Sequence, residues 1–461
     1  MRRVLDFLRT DDLPLRARPS YRIELRHFLF WGVVVGAVEG NLAGIVASKT
    51  FGASRLLTSI VWATPIVVNI LNLFWGLVIR GHRRVPVFIT LAACALGSLA
   101  SVSLTSTEWR WGGWCFAAQL GLTHIFFSGL LTLRSSIWRA NYPRTHRARI
   151  TGRLQTLRLV VVLCAGAVIS SLFDRSPAYY RYVYPLVVLI GLLSLIPLFR
   201  LRIQGEPREL RAYRARRQKL ADSGARGGGR IMDGLRETLA ILKRDVAFRR
   251  YMLGQFFLGA ANFFTEPVLL TVLVTQIGLG YFASSVVMVQ IPMILMLVTI
   301  RYWARYFDRV GVVRFRVLNS SLWLAAYACV AAAMWMIGVG GRPWLFAAIS
   351  ILVVSRVING VCRGGGQIAW NIGHLHFARD HQVELYMGIH VALTGMRGLL
   401  MPILGGLANE YLGNISFAIA IPLSGIAVWA FKRVAALERD RNDRDEARNA
   451  REPGVTPPDA T

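Results

Sequence analysis

Charge is scarce in this 461-residue chain: only 17% of the residues are charged, against 54% hydrophobic. A soluble protein of this length carries more charge and more polar loops. Acid is scarcer still, with 25 Asp and Glu against 54 Lys and Arg. The five cysteines, Cys94, Cys115, Cys164, Cys329 and Cys362, lie in or beside apolar stretches. Their odd number and scattered spacing exclude a disulfide framework and offer no metal-ligand pattern. No Gly-rich nucleotide-binding loop is present, which argues against ATP as an energy source. No nucleophile–base pair or metal cluster stands out, so an enzyme is not expected, and no cofactor is. Short alternating strands are missing too, which excludes a membrane barrel.

What the chain has instead is long apolar runs. A hydrocarbon core is crossed by roughly 20 apolar residues in a helix, and twelve stretches qualify: 28–48, 56–79, 85–104, 114–138, 157–173, 182–199, 251–274, 281–302, 312–336, 344–372, 386–407 and 415–431. They predict an all-α polytopic membrane protein, because helices satisfy their own backbone in lipid. The formal net charge of +29 would suggest nucleic acid on a soluble protein. Here most of the Lys and Arg fall in the termini and in alternate loops. That is the positive-inside signature, so no nucleic-acid partner is expected, and both termini are placed in the cytoplasm of a bacterial inner (plasma) membrane. Residues 1–27 are too Arg-rich and Pro-interrupted for a cleaved signal and read as a cytoplasmic segment. A basic connector, 200–250, carries Gly227-Gly228-Gly229 and divides the spans into bundles at 28–199 and 251–431. Part of it, 232–243, reads either as an amphipathic surface helix or as a solvated tether. The charged, Pro-containing tail, 432–461, is expected to be disordered.

The two blocks of six echo each other. After span 2 the chain reads Trp75-Gly76, then Arg80-Gly81-His82-Arg83-Arg84; after span 8 it reads Trp303-Ala304, then Asp308-Arg309-Val310-Gly311 and Arg314. Glu39 in span 1 is matched by Glu266 in span 7. On these residues the sequence resembles the major facilitator superfamily, whose loop signature is Gly-x-x-x-Asp-Arg-x-Gly-Arg-Arg. The second copy keeps Asp308, Arg309 and Gly311, with Ala304 for the first Gly; the first copy keeps Gly76, Arg83 and Arg84 but has lost its Asp. The resemblance implies two pseudo-symmetric six-helix bundles, a site between them and alternating access. The stretch 160–173 has only Gly166 and no Pro, which counts against the proton-driven drug-exporter subtype.

An ionisable group at mid-bilayer costs roughly 2.5–3.5 kcal/mol on insertion scales, so each one demands a reason. Candidates for solute or proton binding are Glu39 and Asn41 in span 1, Asn262 and Glu266 in span 7, Arg356, Asn359 and Arg363 in span 10, and Arg397 in span 11. The carboxylates can bind a cation, cycle a proton or pair with buried Arg; the Arg groups can neutralise them or bind an anion bidentately. Arg134 and Arg158, near span ends, are expected to snorkel to the headgroups. The resemblance places the loops of a cytoplasmic gate together, formed by Arg83, Arg84, Arg153, Asp308, Arg309, Gly311 and Glu384. Asp308 would face the start of span 5, where a helix dipole favours an anion, and Glu384 would meet Arg83 or Arg84. The expected function is secondary transport of a small solute, with protons as an optional coupling ion, by a monomer whose surroundings are the lipid bilayer. The competing reading is a transporter-like sensor or scaffold that moves nothing.

Overall fold

A computed structural model describes residues 10–38, 41–71, 74–75, 78–79, 81–222, 240–378 and 383–451. The helices in chain order are α1 (Arg18–Val38), α2 (Asn41–Lys49), α3 (Arg55–Val67), α4 (Arg84–Ala100), α5 (Gly112–Asn141), α6 (Arg144–Arg175), α7 (Tyr180–Leu195), α8 (Glu206–Asp222), α9 (Val246–Thr275), α10 (Tyr281–Ser285), α11 (Ile291–Val339), α12 (Arg342–Ile372), α13 (Val383–Leu412) and α14 (Ala420–Arg451). Among the described residues no strand occurs.

Among the described residues eight helices are long and apolar enough to cross a membrane, or nine when α1 and α2, bent by 43°, count as one span. Two of them are double length: Tyr281–Val339 has 59 residues and Ile389–Asp440 has 52. Each is interrupted by a glycine at positive φ, Gly311 at 74° and Gly413 at 57°, a conformation that costs glycine nothing and an L side chain much. With the shorter apolar helix Arg55–Val67, these elements accommodate the twelve expected spans.

Local signals set several helix starts. Ser54 caps α3 by accepting from the Leu57 amide at 3.2 Å, and Asp245 caps α9 by accepting from the Phe248 amide at 2.8 Å. Both are residue types favoured at that position. Between α10 and α11 the turn Val286–Gln290 is a π-helix, a widened turn often found at functional places. The last helix continues to Arg451, past the point where charge density and proline predict disorder; residues 452–461 lie outside the described part, as do 223–239 in the connector.

The described residues form two compact units. Unit 1 comprises Met1–Gly229, Phe263–Met293 and Gly395–Gly413; unit 2 comprises Arg230–Asn262, Ile294–Thr394 and Asn414–Thr461. Unit 1 therefore takes in the six N-terminal spans together with the end of α9, all of α10 and the end of α13. Lipid tails give no hydrophobic drive between helices, so close approach through small residues does the work. On α1, Gly32 and Gly36 face α6: an added Cβ would sit 2.8 Å from Val161 and 3.1 Å from Ala165 respectively. The start of the chain is folded against this bundle, with Leu13, Ala17 and Tyr21 buried beside Tyr142, Ile150 and Leu154. In unit 2, Phe248, Tyr251, Tyr327 and Phe431 are wholly buried in one apolar cluster.

Candidate functional site

Unit 1 draws three of the expected residues, Asn41, Glu266 and Arg397, into its interior. Asn41, the first residue of α2, is 5% exposed. Its Nδ2 donates to the Met288 carbonyl at 2.9 Å, inside the π-helical turn, where wider winding loosens the usual carbonyl pairing. Its Oδ1 accepts from the Trp62 indole at 2.6 Å. Trp62 meets Phe263 edge-on at 5.9 Å, and the Arg397 guanidinium lies over the Phe263 ring at 5.4 Å from its centroid. Glu266 follows Phe263 by one turn on α9 and is completely buried, while Arg397 is 6% exposed. A carboxylate, a guanidinium, a carboxamide and two aromatic faces thus share one interior. Tight packing fixes the α13 strip that carries Arg397: a Cβ on Gly398 would collide with Ile66, and one on Gly405 with the Phe264 carbonyl. Glu39 lies outside the described residues. Asn262 is half-buried, one turn before Glu266, on the α9 segment that belongs to unit 2.

The other expected residues sit in unit 2. Arg356 and Asn359 are wholly buried on α12, and the Arg363 Nε donates to the Asn359 Oδ1 at 2.8 Å. Sequence reasoning missed a neighbouring network. Arg316, 3% exposed on α11, donates to the Gln255 amide oxygen and to the Asn319 Oδ1 at 3.2 Å. Gln255 in turn donates to the Tyr251 hydroxyl at 3.0 Å, and the Phe431 ring lies 5.3 Å from the Arg316 guanidinium. The available signal was the i, i+3 pair Arg316 and Asn319 just inside span 9.

A second missed group lies in unit 1. Arg134 does not snorkel, contrary to expectation: it is 8% exposed, packed over the rings of Phe28 at 4.4 Å and Phe88 at 5.3 Å. It donates to His27 Nε2 at 2.8 Å, and His27 Nδ1 donates to the Ser194 carbonyl at 3.0 Å. That arrangement uses the neutral imidazole, with the proton on Nδ1. Glu24, 4% exposed, accepts from the Trp138 indole at 2.5 Å and from the Tyr142 hydroxyl at 3.0 Å. Arg134 stays inward because Glu24 and the aromatic faces replace the headgroups it would otherwise seek.

The expected gate residues divide. The Arg84 guanidinium pairs with Glu209 of the connector helix α8, and its backbone amide, at the start of α4, donates to Glu206 Oε1 at 2.8 Å. Tyr213, one turn further along α8, covers Gly81, whose φ is +82° and where an added Cβ would lie 2.5 Å from the ring. The connector thus supplies acid to the turn that lacks the signature Asp. Arg153 is held bidentately by Asp12, at 3.1 and 2.5 Å. Arg83, Asp308, Arg309 and Gly311 are exposed, and Glu384 is in the first turn of α13, its side chain outside the described residues.

The opposite end of unit 1, where α2, α6 and α9 finish, is latched. The Asp174 carboxylate accepts from the amides of Tyr281 at 2.5 Å and Phe282 at 2.8 Å, at the N-terminus of α10. Lys49 donates to the Leu279 carbonyl at 2.7 Å and lies over the Tyr281 ring at 4.8 Å. Thr50 and the Tyr281 hydroxyl share a 2.8 Å bond. Arg55 donates to the Asn409 carbonyl at 2.9 Å. Among the described residues no cluster of His, Cys, Asp and Glu could hold a metal.

The sequence pattern of the Major Facilitator Superfamily matches residues 28–352 and 289–457. The chain belongs to this superfamily. Solved structures agree in fold. A variant of the nucleoside transporter NupG is 13% identical with a TM-score of 0.63, covering 89% of this chain and 98% of its own. The xylose transporter XylE from E. coli, in an inward-open conformation, is 13% identical at 0.60, covering 90% and 95%. A bacterial homologue of the iron transporter ferroportin is 13% identical at 0.59, covering 90% and 98%. No curated protein sequence matches the chain. This superfamily member is a multi-pass membrane protein of a transporter family, as its repeat and loop residues implied.

Proposed function

We propose that this superfamily member is a secondary transporter that moves a small polar solute by alternating access, with both termini in the cytoplasm of a bacterial inner membrane. The observation that carries the reading is the interior of unit 1, where Glu266 and Arg397 are buried beside Asn41, Trp62 and Phe263. A bilayer protein keeps such groups inward only at a cost, and they mark solute or ion pathways. Opposite charges together with aromatic faces suit a solute that has both a polar end and a flat or apolar part. Glu266 is the candidate for proton cycling on this reading, since it is the one carboxyl group among these side chains. The latch of Asp174, Lys49 and Tyr281 is read as a closed gate at the end opposite the cationic turns.

The test is reconstitution. Solutes that stabilise the purified protein in a thermal-shift screen are taken into proteoliposomes, and counterflow and concentrative uptake are measured. Counterflow in the parent protein is expected, with concentrative uptake lost and counterflow kept in Glu266→Gln. A solute that binds and stabilises yet shows no flux would instead favour the sensor reading.

A further inference from the structure

Unit 2 contains a cavity of about 600 Å³ at the end that carries its cationic turns. It lies between the 8–9 turn and the start of span 9 on one side and the extension of α14 beyond span 12 on the other. Its floor is apolar: Val312 and Val313 are buried there at the edge of the unit's core, with Val317 packed beside them. Its rim is cationic: Arg314, Lys432 and Arg439 line it and are solvent-exposed. The one lining carboxylate among the described residues, Glu438, is held by His376 Nε2 at 2.7 Å. Three permanent positive charges therefore face a single acid that already has a partner.

The size falls in the range of small-molecule sites, roughly 300–1,000 Å³. The rim combines two guanidinium groups, which match tetrahedral oxyanions bidentately, with an ammonium that serves as a point charge. None of the residues assigned above to solute binding lines this cavity. We propose that it is a binding site for a phosphate-bearing ligand with an apolar portion, the phosphate received by Arg314, Lys432 and Arg439 and the apolar part resting on the valine floor. Two sources share that chemistry: an anionic phospholipid, drawn to basic clusters at helix ends, and a soluble phosphate ester.

The full-length protein in nanodiscs separates them. In discs of phosphatidylcholine with phosphatidylglycerol, native mass spectrometry counts retained anionic lipid. In discs of phosphatidylcholine alone, thermal shift reads binding of phenyl phosphate. The combined variant Arg314→Gln, Lys432→Gln and Arg439→Gln should weaken whichever ligand binds by roughly tenfold or more, since each basic residue near such a charge contributes on the order of 1 kcal/mol. Arg433→Gln, on the same helix but outside the cavity, should leave it within about twofold, and binding should weaken with salt. Lipid retention that depends on the three residues assigns the phospholipid; phenyl phosphate binding that depends on them assigns the soluble ester. Binding of neither probe, or equal binding by the combined variant and its parent, overturns the proposal. Because the three side chains are exposed, folding of the combined variant is checked by an unchanged melting temperature in ligand-free discs.

Discussion

Replacing Asp174 with Ala removes both acceptors that hold the first turn of α10, the amides of Tyr281 and Phe282. Hydrogen bonds to a charged group contribute about 1.5–3 kcal/mol when shielded. Asp174 is exposed, so screening reduces this to about 0.5–1 kcal/mol each. Two bonds give roughly 1–2 kcal/mol, and an equilibrium between latched and unlatched states shifts by about 5–30-fold. A second perturbation reaches the same contact without touching charge: a Cβ at Gly280 would lie 2.7 Å from the Asp174 carboxylate, so Gly280→Ala should act in the same direction. The assay uses a background without native cysteines and a single probe, Ser284→Cys, at a position that is completely buried in α10. Labelling by a membrane-impermeant maleimide, applied from each face in turn, should rise by about 5–30-fold in Asp174→Ala from one face only. A rate within twofold of the parent in both variants would refute the latch.

Three further outcomes are expected. Arg134→Ala leaves Glu24 buried without its neighbouring cation; breaking a buried charge network by removing one partner costs about 3–5 kcal/mol, visible as a large fall in melting temperature in detergent. Combined replacement of Glu206 and Glu209 by Gln frees Arg84 and the start of α4, and hydrogen exchange in α8 should speed up while that in α5 stays as it was. The Glu438 hydrogen bond raises the pKa of His376 above the ordinary histidine value, against the opposing effect of burial. Its stabilising contribution is therefore complete below the unfolded-state pKa and lost as pH rises through the higher folded-state value. Arg314, Lys432 and Arg439 line the same cavity as His376. Protection of the amides around 374–377, with the intrinsic rise of exchange with pH divided out, should fall above neutral pH in the parent, and Glu438→Gln should abolish that fall.

The architecture could be read from the chain because twelve apolar runs and their echo are local or periodic properties. Asn41, Glu266, Arg356, Asn359 and Arg397 could be found for a related reason: a polar residue inside an apolar run has few destinations other than the interior. Glu24 and His27 could not, since α1 begins at Arg18, ten residues before the apolar run, and a charged residue there reads as loop; the burial of Arg134 follows from theirs. Arg316 was hidden in the same way by its closeness to the cationic 8–9 turn. The latch and the connector clamp were beyond reach because they join residues far apart in sequence, such as Asp174 with Tyr281 and Gly81 with Tyr213. The helical course of residues 440–451 departs from the predicted disorder; its Arg, Ala and Glu residues favour helix, against the Asp and Asn among them.

The π-helical turn at Val286–Gln290 means that this stretch of helix holds one residue more than an α-helix of equal rise. A spare residue rotates everything beyond it by about 100°. Tyr281, on one side of it, is thereby phased to meet Thr50 and Asp174, while α11, on the other, keeps its own facing. Deleting one residue from this turn would restore even winding and unscrew the two ends from each other. Such a protein would keep every chemical group of the gate and aim them at the wrong neighbours.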